Sequence, residues 1–256
     1  MSVDAAGPGR FCNQLIRQAF ASMLAQKFDL TVAYPCAGDV QRLGITCYSG
    51  AVELPAAAPA GAAAMAAAPT TEDEVLGVIE GRLPPAETKI SMNNDNCYCQ
   101  SRQHTKVLRE WLRPQAASIR AANTFAARYR NNSDVFLHIR LGDVPGYNPG
   151  VAYYRAALAR TAPDASTVRY ISTDSPGHPI VQQLVADHPE TRVVVDGDLV
   201  KVIQFASTCK DVILSHGSFS AVIGFLAFDS HVYYAPYTTM WCGDMFSQPD
   251  WYIVYS

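Results

Sequence analysis

The chain has 256 residues, 49% of them hydrophobic and 17% charged, with a formal net charge of −3. That composition is globular, with length for one large domain or two modest ones, and gives no reason to expect nucleic acid or an anionic membrane as a bulk partner. No stretch approaches the ~18–20 consecutive apolar residues of a membrane helix. Met1 to Pro8 lacks the basic and apolar regions of a secretory signal, so the expectation is a soluble protein made in the cytoplasm, with no integral membrane segment.

The seven cysteines are odd in number and scattered, which fits reduced thiols better than a disulfide framework. Cys97-Tyr98-Cys99 is the one close pair; without a second pair or a nearby His it does not make a zinc site, and no metal is expected. Asn131-Asn132-Ser133 fits a glycosylation sequon but reads as an ordinary loop in a chain without a secretory signal.

Gly7-Pro8-Gly9-Arg10 is a loop, and the next segment has helical spacing. Phe11, Leu15, Ala19, Met23 and Leu24 form one stripe, with Gln14, Gln18 and Lys27 away from it. A glycine-bearing loop that opens a helix is a ready anion or hydroxyl site, because first-turn N–H groups are unpaired, although an ordinary loop before a core helix reads the same way. Leu30 to Tyr34 and Ile45 to Tyr48 are short strand candidates. Residues 55–69, almost all alanine between prolines, read as a flexible surface insertion. Glu74 to Glu80 and Thr88 to Met92 are two further strand candidates, and Asn93 to Gln100 is a polar loop.

Two helices are predicted at His104 to Leu112 and Pro114 to Tyr129, with Pro114 at the first position of the second. Their basic residues, among them Lys106, Arg109, Arg120, Arg128 and Arg130, read as solvated faces or as a positive rim beside an anionic ligand. From residue 134 the pattern changes. Strands are expected at Val135–Ile139, Val168–Ser172, Arg192–Val195, Val212–Leu214 and Val232–Tyr234. Helices are expected between them at Val151–Arg160, Pro179–Asp187, Asp198–Thr208 and Ser218–Phe228. This alternation implies right-handed βαβ units and a doubly wound parallel sheet, with ligands at the carboxyl ends of its strands. The division is residues 1–130, then a sheet domain at 131–240, then an aromatic tail at 241–256 that packs back.

Polar residues collect at those carboxyl ends. The first strand delivers His138, Arg140 and Asp143, and the second delivers Thr173 and Asp174. The fourth leads into Ser215-His216-Gly217-Ser218-Phe219-Ser220, a loop opening a helix, with hydroxyls and free N–H groups at the positive helix end. Arg140 adds a fixed cation able to grip phosphate oxygens with two donors. There is no P-loop, no G-x-G-x-x-G near a strand, no G-x-S-x-G and no metal-ligand cluster. The crevice reads as built for a phosphate-bearing ligand.

These residues carry a resemblance. His138-Ile139-Arg140-Leu141-Gly142-Asp143 resembles the H-x-R-x-G-D motif of the α-1,2-fucosyltransferases and their wider superfamily. Gly9 to Leu15 resembles that family's G-x-L-G-N-Q-hydrophobic motif, Ser215 to Ser220 its S-N-S-S-F-S segment, and Ser172-Thr173-Asp174 its S-T-D step. The four occur in the family's order and span residues 9 to 235.

The resemblance implies a GT-B-like α/β fold of two Rossmann-like domains facing a cleft, the second holding the nucleotide-sugar. It implies inverting, metal-independent transfer of fucose from GDP-fucose to a hydroxyl of a glycan acceptor, with no cofactor. In that reading Arg140 holds the diphosphate, Ser218, Phe219 and Ser220 line the nucleotide pocket with Asp174, and Gly9 and Asn13 come from the first domain. His138 and Asp143 orient Arg140 or sit near the acceptor hydroxyl, and either is a candidate general base or a structural group at the strand end. The chain departs from the pattern at Cys12, at Leu141, where many fucosyltransferases carry a second arginine, and at His216 and Gly217. Two alternatives therefore stand beside it: the same fold with another nucleotide-sugar donor, and a nucleotide- or glycan-binding protein without catalysis.

Overall fold

A computed structural model describes residues 3–4, 9–50, 71–83, 90–91, 98–142, 148–236 and 244–255. The chain divides into two compact units, one of residues 1–41 and 45–111, the other of residues 42–44 and 112–256. The alanine-rich stretch at 55–69 lies outside the described residues.

The first unit contains β1 (Val3–Asp4), α1 (Phe11–Phe28), α2 (Ala37–Arg42), α3 (Glu72–Ile79), β2 (Ile90–Ser91) and α4 (Arg102–Leu112). Strands β1 and β2 pair in parallel. Helix α1 is buried on every side: Cys12 and all of residues 14–25 are covered. A single apolar stripe with Gln14 and Gln18 facing water is therefore not what forms; both glutamines are buried, Gln18 completely. A helix enclosed all round is a core helix whatever its polarity, and its polar groups must find partners inside. The Arg17 guanidinium, for example, lies 4.4 Å from the centre of the Tyr98 ring. Lys27 does reach solvent, and its ammonium donates to the carbonyls of Val78 and Ile79 at 2.8 and 2.7 Å, closing the end of α3.

Three strand expectations in this unit fail. Along Leu30 to Tyr34, Leu30 and Val32 are buried in alternation, but the segment joins no ladder among the described residues. At Ile45 to Tyr48 the Tyr48 N–H donates to Ser22 Oγ of α1 at 2.7 Å, so a helix side chain takes the place of a neighbouring strand. Glu74 to Glu80 belongs to helix α3. Thr71 Oγ1 accepts from the Glu74 N–H at 3.3 Å while the Glu74 carboxylate accepts from the Thr71 N–H at 2.8 Å, a reciprocal cap that starts a helix here. The expectation at Thr88 to Met92 is met by Ile90–Ser91.

The second unit opens with α5 (Ala116–Ala122). One helix over Pro114 to Tyr129 was expected, but it is broken at Asn123, whose backbone is extended at φ −71° and ψ 122°. The Asn123 side chain accepts from the Phe125 N–H at 2.7 Å, a local turn that competes with helix continuation. The basic residues around it are engaged: Arg120 and Arg130 converge on Asp229 at 2.7 and 2.5 Å, and Arg128 meets Asp134 at 2.7 Å.

The alternation then runs β3 (Val135–Ile139), α6 (Val151–Leu158), β4 (Arg169–Thr173), α7 (Pro179–Asp187), β5 (Arg192–Val194), α8 (Leu199–Ala206), β6 (Asp211–Ile213), α9 (Ser218–Leu226) and β7 (His231–Tyr234). A last strand, β8 (Tyr252–Ile253), comes from the aromatic tail and pairs with β7. All the pairings are parallel, and the sheet order is β5-β4-β3-β6-β7-β8. Numbered from β3, this is the 3-2-1-4-5-6 order of a doubly wound, Rossmann-like sheet.

Alternation along β3 sorts the two faces. Val135, Leu137 and Ile139 join Tyr153, Tyr154, Ala157, Val181 and Leu184 in the core under α6 and α7. Phe136 and His138 face the other way, against Phe205 of α8 and Phe219 of α9, with ring centres 6.3 and 4.9 Å apart. With both faces covered, β3 is buried along its whole length, which is why it reads as an apolar run. The tail is pinned by Trp251, which stacks on Phe225 at 5.5 Å and meets Tyr234 at 6.2 Å.

Candidate functional site

The strand order reverses between β3 and β6, so the chain leaves their carboxyl ends in opposite directions and opens a crevice there. The sequence motifs at residues 138–142 and 215–220 both fall at this point.

Arg140 follows β3 by one residue, and its parity directs it to the α9 side. Its guanidinium lies over Gly217, the residue before α9: a Cβ added to Gly217 would come 2.6 Å from Arg140 Nη1 and 3.6 Å from Cδ and Cζ. Gly217 also has φ +103°, a conformation that L side chains rarely adopt. The cation and the N-terminus of a nine-residue helix thus share one spot. The N–H groups of the first turn have no carbonyl of their own helix to bond and concentrate positive potential there. Of the first-turn residues, Ser218 and Phe219 are half-buried and Ser220 is buried.

His138 sits beneath this position. Its Nδ1 shares a 2.5 Å hydrogen bond with Ser220 Oγ, and its ring packs against Phe219. Burial pushes the imidazole down to about 4; the nearby Asp174 charge opposes this and the Arg140 charge adds to it. His138 is therefore neutral at pH 7 and locked to α9.

Asp174, just past β4, aims its carboxylate at the turn leaving β3. Its two oxygens accept from the N–H groups of Leu141 and Gly142 at 2.9 and 3.1 Å. A Cβ at Gly142 would lie 2.9 Å from Asp174 Oδ2, so glycine permits this approach. Thr173 Oγ1 accepts from the Ser175 N–H at 3.1 Å and shapes the same loop. Leu141 is turned into the apolar core.

Gly9 and Asn13 lie together in the first unit. Gly9 has φ +104°, a Cβ there would come 2.5 Å from Asn13 Nδ2, and Asn13 Oδ1 accepts from Gln100 Nε2 at 2.9 Å. Asp143 lies outside the described residues. Two residues with no place in the sequence reasoning join the site: Asn148, which donates to the Arg140 carbonyl at 3.0 Å, and Tyr154, which accepts from the same amide at 3.0 Å. Neither stands in a motif, and a buried tyrosine in a helix reads only as core.

A cavity of about 440 Å³ lies elsewhere, among the loops that enter the amino ends of the strands, lined by Arg130, Ser133, Asp164, Lys210 and Asp229 with neighbouring polar residues. The Arg130–Asp229 pair and the hydrogen bond from Ser133 to Asp164 occupy much of its wall chemistry. The converging charge, the glycine and the switch point favour the carboxyl end instead. Among the described residues no group of three or more His, Cys, Asp and Glu could hold a metal ion, and no helix is long and apolar enough to cross a membrane.

No protein-family model matches the chain, and no curated protein matches it by sequence. Among solved structures it is similar to NodZ alpha-1,6-fucosyltransferase soaked with GDP-fucose, at 12% identity and a TM-score of 0.43, covering 88% of this chain and 91% of that one. It is similar also to the selenomethionine form of fucosyltransferase NodZ from Bradyrhizobium, at 13% identity and a TM-score of 0.42, covering 88% and 90% of the two chains.

Proposed function

We propose that this chain is a glycosyltransferase that moves fucose from GDP-fucose to a glycan hydroxyl, with inversion and without a metal ion, in the manner of the α-1,2-fucosyltransferase-like enzymes. The observation that carries the reading is Arg140 lying over Gly217 at the start of α9, in the switch-point crevice of a Rossmann-like sheet. A nucleoside diphosphate fits that combination. The diphosphate meets a guanidinium with two parallel donors and the open N–H groups of a helix.

In the proposed reaction the acceptor oxygen attacks the anomeric carbon from the face opposite the phosphate. The bond from that carbon to the β-phosphate oxygen breaks, its electron pair leaves with GDP, and the acceptor proton passes to a general base. Negative charge grows on the diphosphate as the bond breaks. Arg140 and the first turn of α9 stabilise it from fixed positions, the work a divalent cation does in other transferases. Of the two candidate bases, His138 is buried with its Nδ1 bonded to Ser220 of α9, so it orients α9 and the base role goes to Asp143. Asp174 holds the turn that carries Arg140 through its two backbone bonds. Ser218, Phe219 and Ser220 line the nucleotide side, and Gly9 and Asn13 belong to the acceptor-side unit.

One observation favours a second reading of the donor. Leu141 is packed into the core where many fucosyltransferases carry a second arginine, which leaves room for a different nucleotide-sugar.

The test is hydrolysis and transfer from a panel of nucleotide-sugars in the presence of a chelator. Turnover of GDP-fucose by the wild type, abolished by Arg140→Ala with the fold intact, is the expected result. Turnover of a different donor alone moves the assignment to that donor. Tight GDP binding with no turnover of any donor sinks the enzymatic reading in favour of a binding protein.

A further inference from the structure

Both backbone polar groups of Arg140 are held. Its N–H donates to Ser215 Oγ at 3.3 Å, and its carbonyl accepts from Asn148 Nδ2 at 3.0 Å. Asn148 Nδ2 also donates to the Tyr154 hydroxyl at 3.0 Å, while Asn148 Oδ1 accepts from the Gly150 N–H at 2.8 Å. The Ser215 side chain also favours the ionised Tyr154 hydroxyl, against the burial that disfavours it. Residue 140, Ser215, Tyr154 and Asn148 thus form a ring of polar neighbours, tied by hydrogen bonds from residue 140 to Ser215 and from Asn148 to both residue 140 and Tyr154. Tyr154 and Ser215 are wholly buried, and Arg140 and Asn148 are half-buried.

We propose that Tyr154 is a positioning residue for Arg140, fixing the peptide from which the guanidinium hangs and so the place where the guanidinium meets the diphosphate. The inference rests on the proposed transfer reaction for its activity readout. Three features carry it. A tyrosine in the core beneath a strand needs no hydroxyl for packing, and phenylalanine fills the same volume. The hydroxyl accepts from the Asn148 amide that grips the Arg140 carbonyl, and it lies beside Ser215, which grips the Arg140 N–H. Gly150, the start of α6, has φ +86° and is tied to Asn148, so the helix carrying Tyr154 is registered against the same loop. A misplacement of about 1 Å at a reacting group costs on the order of a hundredfold in rate, which makes such a ring worth its buried polar atoms.

The experiment compares Tyr154→Phe in the wild-type and Arg140→Lys backgrounds. In the wild type, Tyr154→Phe lowers donor turnover by roughly tenfold to a hundredfold. In the Arg140→Lys background it lowers the residual turnover by no more than about twofold, because the group it positions is already gone. A purely structural tyrosine lowers both by the same factor, and that result overturns the proposal. Backbone amide exchange over residues 139–142 supplies an arm independent of activity: it speeds up on the order of tenfold in Tyr154→Phe relative to wild type. If the wild type turns over no nucleotide-sugar, the functional reading falls and exchange alone decides the ring. Unaltered exchange overturns the ring, and faster exchange upholds it.

Discussion

Arg140 and Gly217 share a space that a single methyl group would fill: a Cβ on Gly217 would stand 2.6 Å from Arg140 Nη1. Gly217→Ala is therefore penalised twice. The φ of +103° costs about 1–3 kcal/mol for a residue with a Cβ, and the guanidinium must move off the helix start. Chemical denaturation reads the first effect, and donor turnover, falling nearly as far as in Arg140→Ala, reads the second. Full turnover in a destabilised variant breaks the link between glycine and arginine.

Arg140→Lys separates charge from shape. A lysine keeps the positive charge but presents a point donor instead of a planar fork. Turnover is expected to drop almost as far as in Arg140→Ala, and a lysine variant near the wild-type rate refutes the bidentate grip.

His138 makes stability depend on pH. Its folded value, about 4, lies below its ordinary 6.5, so the unfolded chain takes up a proton that the folded chain refuses. The contribution is complete above 6.5 and is lost as pH falls toward 4, up to roughly 3 kcal/mol over that window. Unfolding free energies at a series of pH values are expected to fall across this range in the wild type and less steeply in His138→Gln. Parallel curves for the two proteins contradict the burial argument.

Gly224→Ala probes the tail. A Cβ there would come 2.6 Å from two ring carbons of Trp251 and 2.9 Å from Leu214 Cδ1. Overpacking of this kind costs about 1–3 kcal/mol, and Trp251 is expected to gain exposure. A red-shifted tryptophan emission with a lower unfolding midpoint is the predicted pair of signals; unchanged emission would place the strain elsewhere.

Thr71→Ala removes one half of the reciprocal cap on α3 and should cost about 1 kcal/mol, measured by denaturation. A neutral outcome would mean that packing alone fixes that helix start.

The second unit was legible because its physics is local. Its strands are short apolar runs, its helices begin at Pro179, Leu199 (capped by Asp198) and Ser218, and the reversal of strand order brings residues 138–142 and 215–220 together. The first unit was less so. Helix α1 hides Arg17, Gln18 and Ser22 among apolar neighbours, so its sequence suggests a solvent face that does not exist. The strands are two residues long, below any periodic signal. The α3 start is written in Thr71 and Glu74, a capping pair that outweighs the strand-like look of the apolar residues after it. At the site, Arg140 and Gly217 stood in the sequence, whereas their contact, the ring through Tyr154 and the neutral state of His138 depend on tertiary placement.

Residues 42–44 belong to the second unit although they lie in the middle of the first along the chain. Gln204 Nε2 donates to the Arg42 carbonyl at 2.8 Å, Ser118 Oγ donates to the Gly44 carbonyl at 3.0 Å, and Arg42 pairs with Asp198. A Cβ on Gly44 would press within 2.6 Å of the Ser118 carbonyl oxygen. The sheet unit is thus stitched by a three-residue strap borrowed from upstream. Cutting the protein at residue 112 would leave a fragment lacking that strap, with Gln204 deprived of one acceptor and the α5 surface uncovered. Dissection into halves would fail at the strap sooner than at the sheet, and limited proteolysis near residue 44 would loosen a unit whose remaining residues begin only at 112.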